Sequence, residues 1–352
     1  MKNLLIDNLT IPKAGRYIVA VSGGVDSCVL LDLLLQREQK TKLELIVVHF
    51  DHGMRKDSQK DRLFVQNLAK THKLPFEYKE GRLGDVSEAT ARKHRYQFLY
   101  DMMAKYEADG IILAHHLDDR IETSVFNILR GSNRVGAAPL KSGPILIRPL
   151  LKIKKAELKK YAKYQKLSWQ EDTTNSNTTI TRNFIRHELI PIVDRLSLKI
   201  KPNYIDLLST MDQLNQALNQ IFEKTLVNNA IIRKNQIEIS KIIFQNLAPS
   251  AIEHLLAYSI TKLKPDFSLQ SKSLKQLALL IKQDKVGKRQ TFGPKSDCVN
   301  VEIGYDRVTI RLGKTRPMIL DKTKNLFISE INDYRIRRNG KKDFGQLKSK
   351  KL

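Results

Sequence analysis

Short apolar runs alternate with longer stretches of helical composition over the first half of the chain. Tyr17–Val21, Leu43–His49, Phe76–Lys79 and Gly110–Ala114 have strand length and carry β-branched or aromatic residues. Between them, Val25–Leu35, Ser58–His72, Ser87–Tyr106 and Asp118–Leu129 read as helices, with Ser58 and Ser87 as caps and Asp61 completing a weak capping box. This order predicts an α/β protein with an open parallel sheet and helices on both faces. Arg130–Gly143 reads as a loop, Lys154–Lys166 as a lysine-rich helix, and Trp169–Thr181 as polar and irregular; Arg182–Leu189 looks helical and ends at Pro191. The pattern changes around Leu196–Pro202. From there to Lys282 it predicts helices without strands between them, such as Tyr204–Val227 and Leu247–Leu263, before Val301–Leu312 alternates as one or two strands. The expected organisation is a first domain over 1–200, a smaller, mainly helical domain over 201–314, and a basic C-terminal tail over 315–352, mobile at Lys341–Leu352.

Charge changes this picture. The chain has 352 residues, with 62 Lys+Arg against 37 Asp+Glu, a net charge of +25. Such an excess repels itself and points to a polyanionic partner, nucleic acid first. Aromatics are only 7%, which favours a surface that tracks phosphates over one that stacks many bases. No run of roughly 18 apolar residues predicts a membrane span. The first ten residues do not read as a secretory leader. Two cysteines, Cys28 and Cys298, make neither a disulfide framework nor a cysteine-rich zinc site, and a reducing cytoplasm fits them.

The segment most informative about chemistry is Ser22-Gly23-Gly24-Val25-Asp26-Ser27, between the first strand and the first helix. Adjacent glycines let backbone N–H groups approach a phosphate, and the helix N-terminus adds unpaired donors. Ser22 and Ser27 add hydroxyls. Asp26 conflicts with a polyphosphate unless Mg²⁺ bridges the two anions. No Gly-Lys-Ser/Thr follows, so this is not a Walker loop. At the end of the fourth strand comes His115-His116-Leu117-Asp118-Asp119-Arg120-Ile121-Glu122-Thr123. The spacings of Asp118, Asp119 and Glu122 put carboxylates on one helical face, near His115. Such a cluster can hold Mg²⁺, grip an ammonium group and take its proton, or hold zinc; acidic capping of the helix explains only part of it.

The glycine loop resembles that of the PP-loop ATP pyrophosphatase superfamily, and the acidic string resembles an element of the tRNA(Ile)-lysidine synthetases. Other segments similar to that family occur in order: Asp51-His52-Gly53-Met54-Arg55, Glu88-Ala89 with Ala91-Arg92 and Arg95-Tyr96, Arg130-Gly131, Arg148-Pro149-Leu150-Leu151, Glu171-Asp172 with Asn175, and Arg182-Asn183 with Arg186. The resemblance spans roughly residues 15–195 and departs at Arg120, where the family commonly has Gln. It implies an adenine-nucleotide α-hydrolase-like PP-loop domain over 1–200 and a tRNA-contacting role for 201–314. The implied reaction joins free L-lysine to C2 of the wobble cytidine of a CAU-anticodon tRNA(Ile), with ATP going to AMP and pyrophosphate. ATP would lie on Ser22–Ser27, with its adenine near Val48 and His49. Asp26 would orient ATP and hold Mg²⁺, with Asp118 as helper. Asp119 and Glu122 would form the lysine pocket. His115 would orient the cytosine or move a proton. Arg95 and Arg186 would neutralise phosphate or developing charge, each with a partner one turn away, Arg92 and Arg182. Lys154 and Lys155, with the helix they open, would join these arginines in holding tRNA.

Rival readings are a tRNA thiolase, a small-molecule synthetase and a non-catalytic RNA-binding relic. Sulfur transfer needs thiolates, and no Cys-x-x-Cys is present. A relic is disfavoured by the presence of Asp26, Asp119 and Glu122. The oligomeric state stays open, a homodimer included.

Overall fold

The computed structural model describes residues 9, 12–51, 58–81, 88–170, 184–197, 199–264, 267, 269, 271–294 and 297–313. The chain divides into two compact units, Met1–Gln216 and Ala217–Leu352. This division falls inside a helix, α8 (Ile200–Asn229), rather than at the change of pattern near residue 200. The basic tail over 315–352 lies outside the described residues.

The first unit is built on a five-stranded sheet in the order β3-β2-β1-β4-β5. Its strands are β1 (Gly15–Ala20), β2 (Leu43–Asp51), β3 (Phe76–Glu80), β4 (Gly110–Ile112) and β5 (Leu146–Ile147). All four pairings are parallel, with Val19 beside both Val47 and Ile112. Alternation along β1 serves two cores. Tyr17, Val19 and Val21 pack with α1 (Val25–Thr41), α2 (Ser58–Thr71) and α6 (Lys155–Tyr164), while Ile18 packs on the other face with Phe98 and Leu99 of α3 (Glu88–Lys105). Strands buried on both faces need apolar residues at consecutive positions, which is the pattern of the parallel runs. The two-residue β5 is too short to have its own sequence signal.

Topology positions the site. The chain winds outward from β1 to β3, then returns to the other side of β1 with β4. Loops leaving the carboxyl ends of β1 and β4 therefore diverge at the switch point, where ligands bind in such sheets. Helix α4 (Leu117–Leu129) follows β4, and α5 (Arg134–Ala137) follows it. A π-helical turn (Ile185–Leu189) leads into α7 (Ile190–Leu196). The helix therefore runs through Pro191 instead of ending there. The wide turn just before Pro191 accommodates its missing N–H and its ring.

The second unit contains an antiparallel sheet in the order β6-β7-β10-β9-β8. Its strands are β6 (Ala230–Arg233), β7 (Gln236–Ser240), β8 (Arg289–Phe292), β9 (Val299–Ile303) and β10 (Arg307–Leu312). Helices α9 (Ile242–Gln245), α10 (Pro249–Leu263), α11 (Ser271–Lys282) and the end of α8 still supply most of its regular residues. The β6–β7 hairpin corrects the expectation of helices without strands up to Lys282. Edge strand β6 leaves Ile231 and Ile232 exposed, so no alternation marks it in the sequence. Among the described residues, no helix is long and apolar enough to cross a membrane.

Candidate active site

The loop after β1 is closed by its own hydroxyls. Ser27 Oγ donates to Gly24 O at 2.9 Å and accepts from Ser22 N at 3.2 Å, and Ser22 Oγ accepts from Gly24 N at 3.3 Å. Gly23 has φ +93°, a left-handed conformation that favours glycine. A Cβ at Gly24 would meet only Ser22 Oγ within 4 Å, so the approach to this backbone is open. Val48 and His49 are buried within β2, which runs on to Asp51, and they brace the loop from behind. Val48 O accepts from Val21 N at 3.0 Å, and His49 Nδ1 donates to Val21 O at 2.9 Å.

Asp26 opens α1 and meets two groups from elsewhere in the chain. Lys155 Nζ donates to its Oδ2 at 3.3 Å, and His116 Nε2 lies 3.6 Å from the same oxygen. Its Oδ1 is buried without a hydrogen-bond partner among the described residues. Burial pushes the Asp26 carboxyl up, but His116 and Lys155 outweigh it and hold it below its ordinary value. A buried orphan oxygen on an ionised carboxylate beside an open backbone cradle fits a hard cation.

His116 caps α4. Its Nδ1 accepts from Asp119 N at 3.3 Å, and Asp119 Oδ2 accepts from His116 N at 3.0 Å, a capping box with an imidazole in place of the usual hydroxyl. Its Nε2 lies 3.4 Å from Asp119 Oδ2 as well as facing Asp26. Burial lowers the His116 pKa, and the two carboxylates more than reverse this. His115 has the opposite environment. Burial, then the positive field of Arg148, Arg95 and Arg92, holds its pKa well below the ordinary histidine value. Its Nδ1 accepts from Arg148 Nε at 3.3 Å, so the neutral ring carries its proton on Nε2. Arg148 also donates to Lys141 O and, at 3.5 Å, to Tyr96 Oη. Arg92 and Arg95 lie 4.6 and 5.5 Å from the Tyr96 ring centre.

The carboxylates of α4 are divided between cations. Arg186, in the π-helical turn, forms a two-pronged pair with Glu122, both bonds at 2.7 Å, and reaches Asp119 Oδ1 at 3.3 Å. Sequence spacing predicts a shared face for Asp119 and Glu122, and their common partner is Arg186. Asp118 instead accepts from Lys155 N at 2.7 Å and from Lys201 Nζ at 2.9 Å. Lys155, expected among the tRNA contacts, reaches Asp26, while Lys154 is exposed. Arg182, with segments 52–55 and 171–183, lies outside the described residues.

Sequence reasoning omits His116, Arg148 and Lys201 from the site. His116 was legible as the residue before an acidic first turn; nothing in the spacing marks Lys201.

Asp118 gives a pH prediction. Burial raises its carboxyl, but the Lys155 N–H and the Lys201 ammonium outweigh it, and the net pKa is lowered. A pKa lower in the folded chain contributes stability above the unfolded value, about 3.9, and loses it as pH falls through the folded value. Asp118→Asn is expected to lower the unfolding midpoint at pH 7 by about 2–4 °C, the equivalent of about 1 kcal/mol. The difference from the unmodified protein should shrink as pH falls below about 3.9 and vanish below the folded value, as thermal melts down the acid range would reveal. A constant difference would contradict the assignment.

The PP-loop domain family matches residues 1–193. The tRNA(Ile)-lysidine synthase of Thermosipho africanus is 40% identical over 193 residues, covering 52% of this chain and 44% of that protein. That of Thermotoga maritima is 33% identical over 219 residues, covering 60% and 52%. That of Francisella tularensis subsp. novicida is 29% identical over 342 residues, covering 94% and 81%. The chain thus spans about half the length of the first two relatives. A glycine loop and an acidic helix brought together across a switch point, with this match over more than half the chain, lead to one assignment: the chain belongs to the PP-loop family, and over that domain it is similar to the tRNA(Ile)-lysidine synthases.

Proposed function

We propose that the protein is a cytoplasmic ATP-dependent ligase that joins free L-lysine to C2 of the wobble cytidine of tRNA(Ile) with a CAU anticodon. The observation that carries this reading is the meeting of Asp26 with the His116–Asp119–Glu122 group at one sheet edge. It joins a phosphate-binding loop to acceptors for an amine.

In the first step the C2 oxygen of cytosine attacks the α-phosphorus of ATP, the bond to the β-phosphate oxygen breaks, and pyrophosphate leaves. In the second, the lysine side-chain amine attacks C2, a proton is lost from nitrogen, the C2–O bond breaks, and AMP leaves. Ser22–Ser27 bind the phosphates, and the adenine lies against β2 at Val48 and His49. Asp26 Oδ1 would hold Mg²⁺, which supplies charge neutralisation for the phosphates. Lys155 adds a fixed positive charge at the same carboxylate. Neutral His115 donates from Nε2 and suits orientation of the cytosine oxygen; its low pKa argues against a role as imidazolium acid. Arg92, Arg95 and Arg148 surround it with the positive field that a nucleotide phosphate and a developing oxyanion need. Asp119 and Glu122 accept from the lysine amine, which competes with Arg186 for them.

Sulfur transfer is a poorer reading. Burial, with the nearby Asp26 charge, pushes the Cys28 thiol up to about 12, and this thiol donates to Gly23 O at 3.4 Å. Cys298 is also buried.

The test supplies ATP, Mg²⁺ and labelled lysine with either the isoleucine tRNA or the CAU-anticodon methionine tRNA. Lysine retained on the isoleucine tRNA alone, with AMP formed, is the expected result. AMP without lysine incorporation would keep the adenylating step and exclude this acceptor amine.

Helix α6 tests the tRNA interface separately. Lys159, Lys160 and Lys163 are exposed on it. Changing all three to Gln is expected to reduce the slope of log K against log salt for tRNA by about 2, at roughly 0.7–0.9 for each phosphate that is no longer neutralised. An unchanged slope would remove α6 from the interface.

A further inference from the structure

Helix α8 starts beyond residue 193, where the match to the PP-loop family ends. Its first half nevertheless belongs to the first unit and docks there through one face. Tyr204 Oη lies 2.8 Å from Ser124 Oγ, Leu208 is buried with Leu117 and Ile121, Asp212 pairs with Arg120, and Asn215 Nδ2 donates to Arg134 O at 3.3 Å. These positions recur at helical spacing, three to four residues apart. Lys201 continues the face by one turn and brings its ammonium to Asp118.

Two features separate this contact from an ordinary surface pair. Lys201 sits in the first turn of α8, which contains no acidic residue. A cation there faces the positive end of the helix dipole, so local preference opposes it and the tertiary contact must compensate. In addition, the contact does not stop at Asp118. The other Asp118 oxygen accepts the backbone N–H of Lys155 at 2.7 Å, at the start of α6, and the Lys155 side chain reaches Asp26. One continuous path runs from α8 through the acidic turn of α4 to the phosphate loop.

We propose that Lys201 is a positioning residue of the ATP site: its ammonium holds Asp118, and Asp118 holds the first turn of α6 so that Lys155 meets Asp26. The inference rests on the reading that Asp26 faces the phosphates of ATP. It gives Asp118 a structural task and leaves Asp26 as the carboxylate for Mg²⁺. It also makes ATP affinity depend on a residue outside the PP-loop segment. Arg120 acts in the same direction by anchoring α8 through Asp212.

The full chain can test this with Lys201→Met, which keeps the apolar stem and removes the charge, and Lys201→Arg, which restores it. The readout is the dissociation constant of an α,β-methylene ATP analogue by calorimetry across a Mg²⁺ titration, without tRNA or lysine. Lys201→Met is expected to weaken the analogue about five- to tenfold, and Lys201→Arg to recover it to within about twofold of the unmodified protein. Asp118→Asn should weaken it similarly, and the double variant no further, because both act on one path. In turnover, Lys201→Met should raise the KM for ATP with kcat nearly unchanged. An analogue affinity for Lys201→Met within about twofold of the unmodified protein would overturn the proposal. So would a loss that Arg fails to recover, or additive losses in the double variant. If the unmodified protein binds no analogue, the ATP reading itself falls; if it binds and Lys201→Met binds equally, only the role of Lys201 falls. Should Lys201→Met not fold, Asp118→Asn with Lys201→Arg carries the same comparison.

Discussion

Asp26→Asn is expected to reduce AMP formation by about a thousandfold, some 4 kcal/mol of barrier, the scale on which a metal-borne charge assists phosphoryl chemistry. Asn keeps the size and one oxygen but not the charge. The Lys155 ammonium and His116 then lose their common anionic partner, and the buried oxygen that suits Mg²⁺ becomes part of a neutral amide. Stability should change little, because Lys155 is partly exposed and keeps access to water. Single-turnover AMP release on the isoleucine tRNA, beside a thermal melt, separates these effects. A variant within about tenfold of the unmodified protein would remove Asp26 from the reaction.

Glu122→Gln is expected to divide the reaction between its two steps. Pyrophosphate release, which needs only ATP and tRNA, should continue, while lysine incorporation falls by about a hundredfold or more, the scale of a lost proton acceptor. Glu122 is buried, and its two oxygens receive both prongs of Arg186. An amide turns one acceptor into a donor that faces the guanidinium. The bidentate pair is broken, and the cost to folding is about 1.5–3 kcal/mol, typical of a hydrogen bond to a charged group. On the proposed reaction, the same change removes an anion that would receive the lysine amine. Measuring pyrophosphate and bound lysine in one reaction checks the division. Equal loss of both products would place Glu122 in the adenylation step instead.

These expectations depend on what was legible in the chain. The glycine loop was readable because its parts are contiguous. Gly23, Gly24, Asp26 and two serines occupy one strand-to-helix turn, which its own hydroxyls close. The pairing of Asp119 with Glu122 on α4 was readable for the same reason, since a helix brings residues three apart together wherever it lies, whereas Asp118 turned to other partners. Strand β7 alternates Ile237 and Ile239 with polar neighbours, but its partner β6 carries adjacent isoleucines on an exposed edge. The hairpin therefore gave no signal as a pair.

Charge partners were not legible. Lys155 lies 129 residues from Asp26, and Arg186 lies 64 from Glu122. Nothing in the spacing of a lysine-rich helix tells which lysine faces inward, and both Lys154 and Lys155 read alike as tRNA contacts. The docking of α6 on α1 decides it, through Tyr161, which is fully buried and donates to Asp32 at 2.7 Å. The histidines behave similarly. Adjacent in sequence, His115 and His116 take opposite shifts: burial lowers both, Arg148 adds to it at His115, and Asp26 and Asp119 reverse it at His116. The chain by itself determined four of the five parallel strands and set the glycine loop and the acidic turn at strand ends, since periodicity and turn chemistry act over a few residues, whereas strand order and the short β5 came from the fold. Tertiary structure alone decided which cation neutralises which carboxylate, because an ion pair depends on a few ångströms of separation that only packed helices and a closed sheet can set.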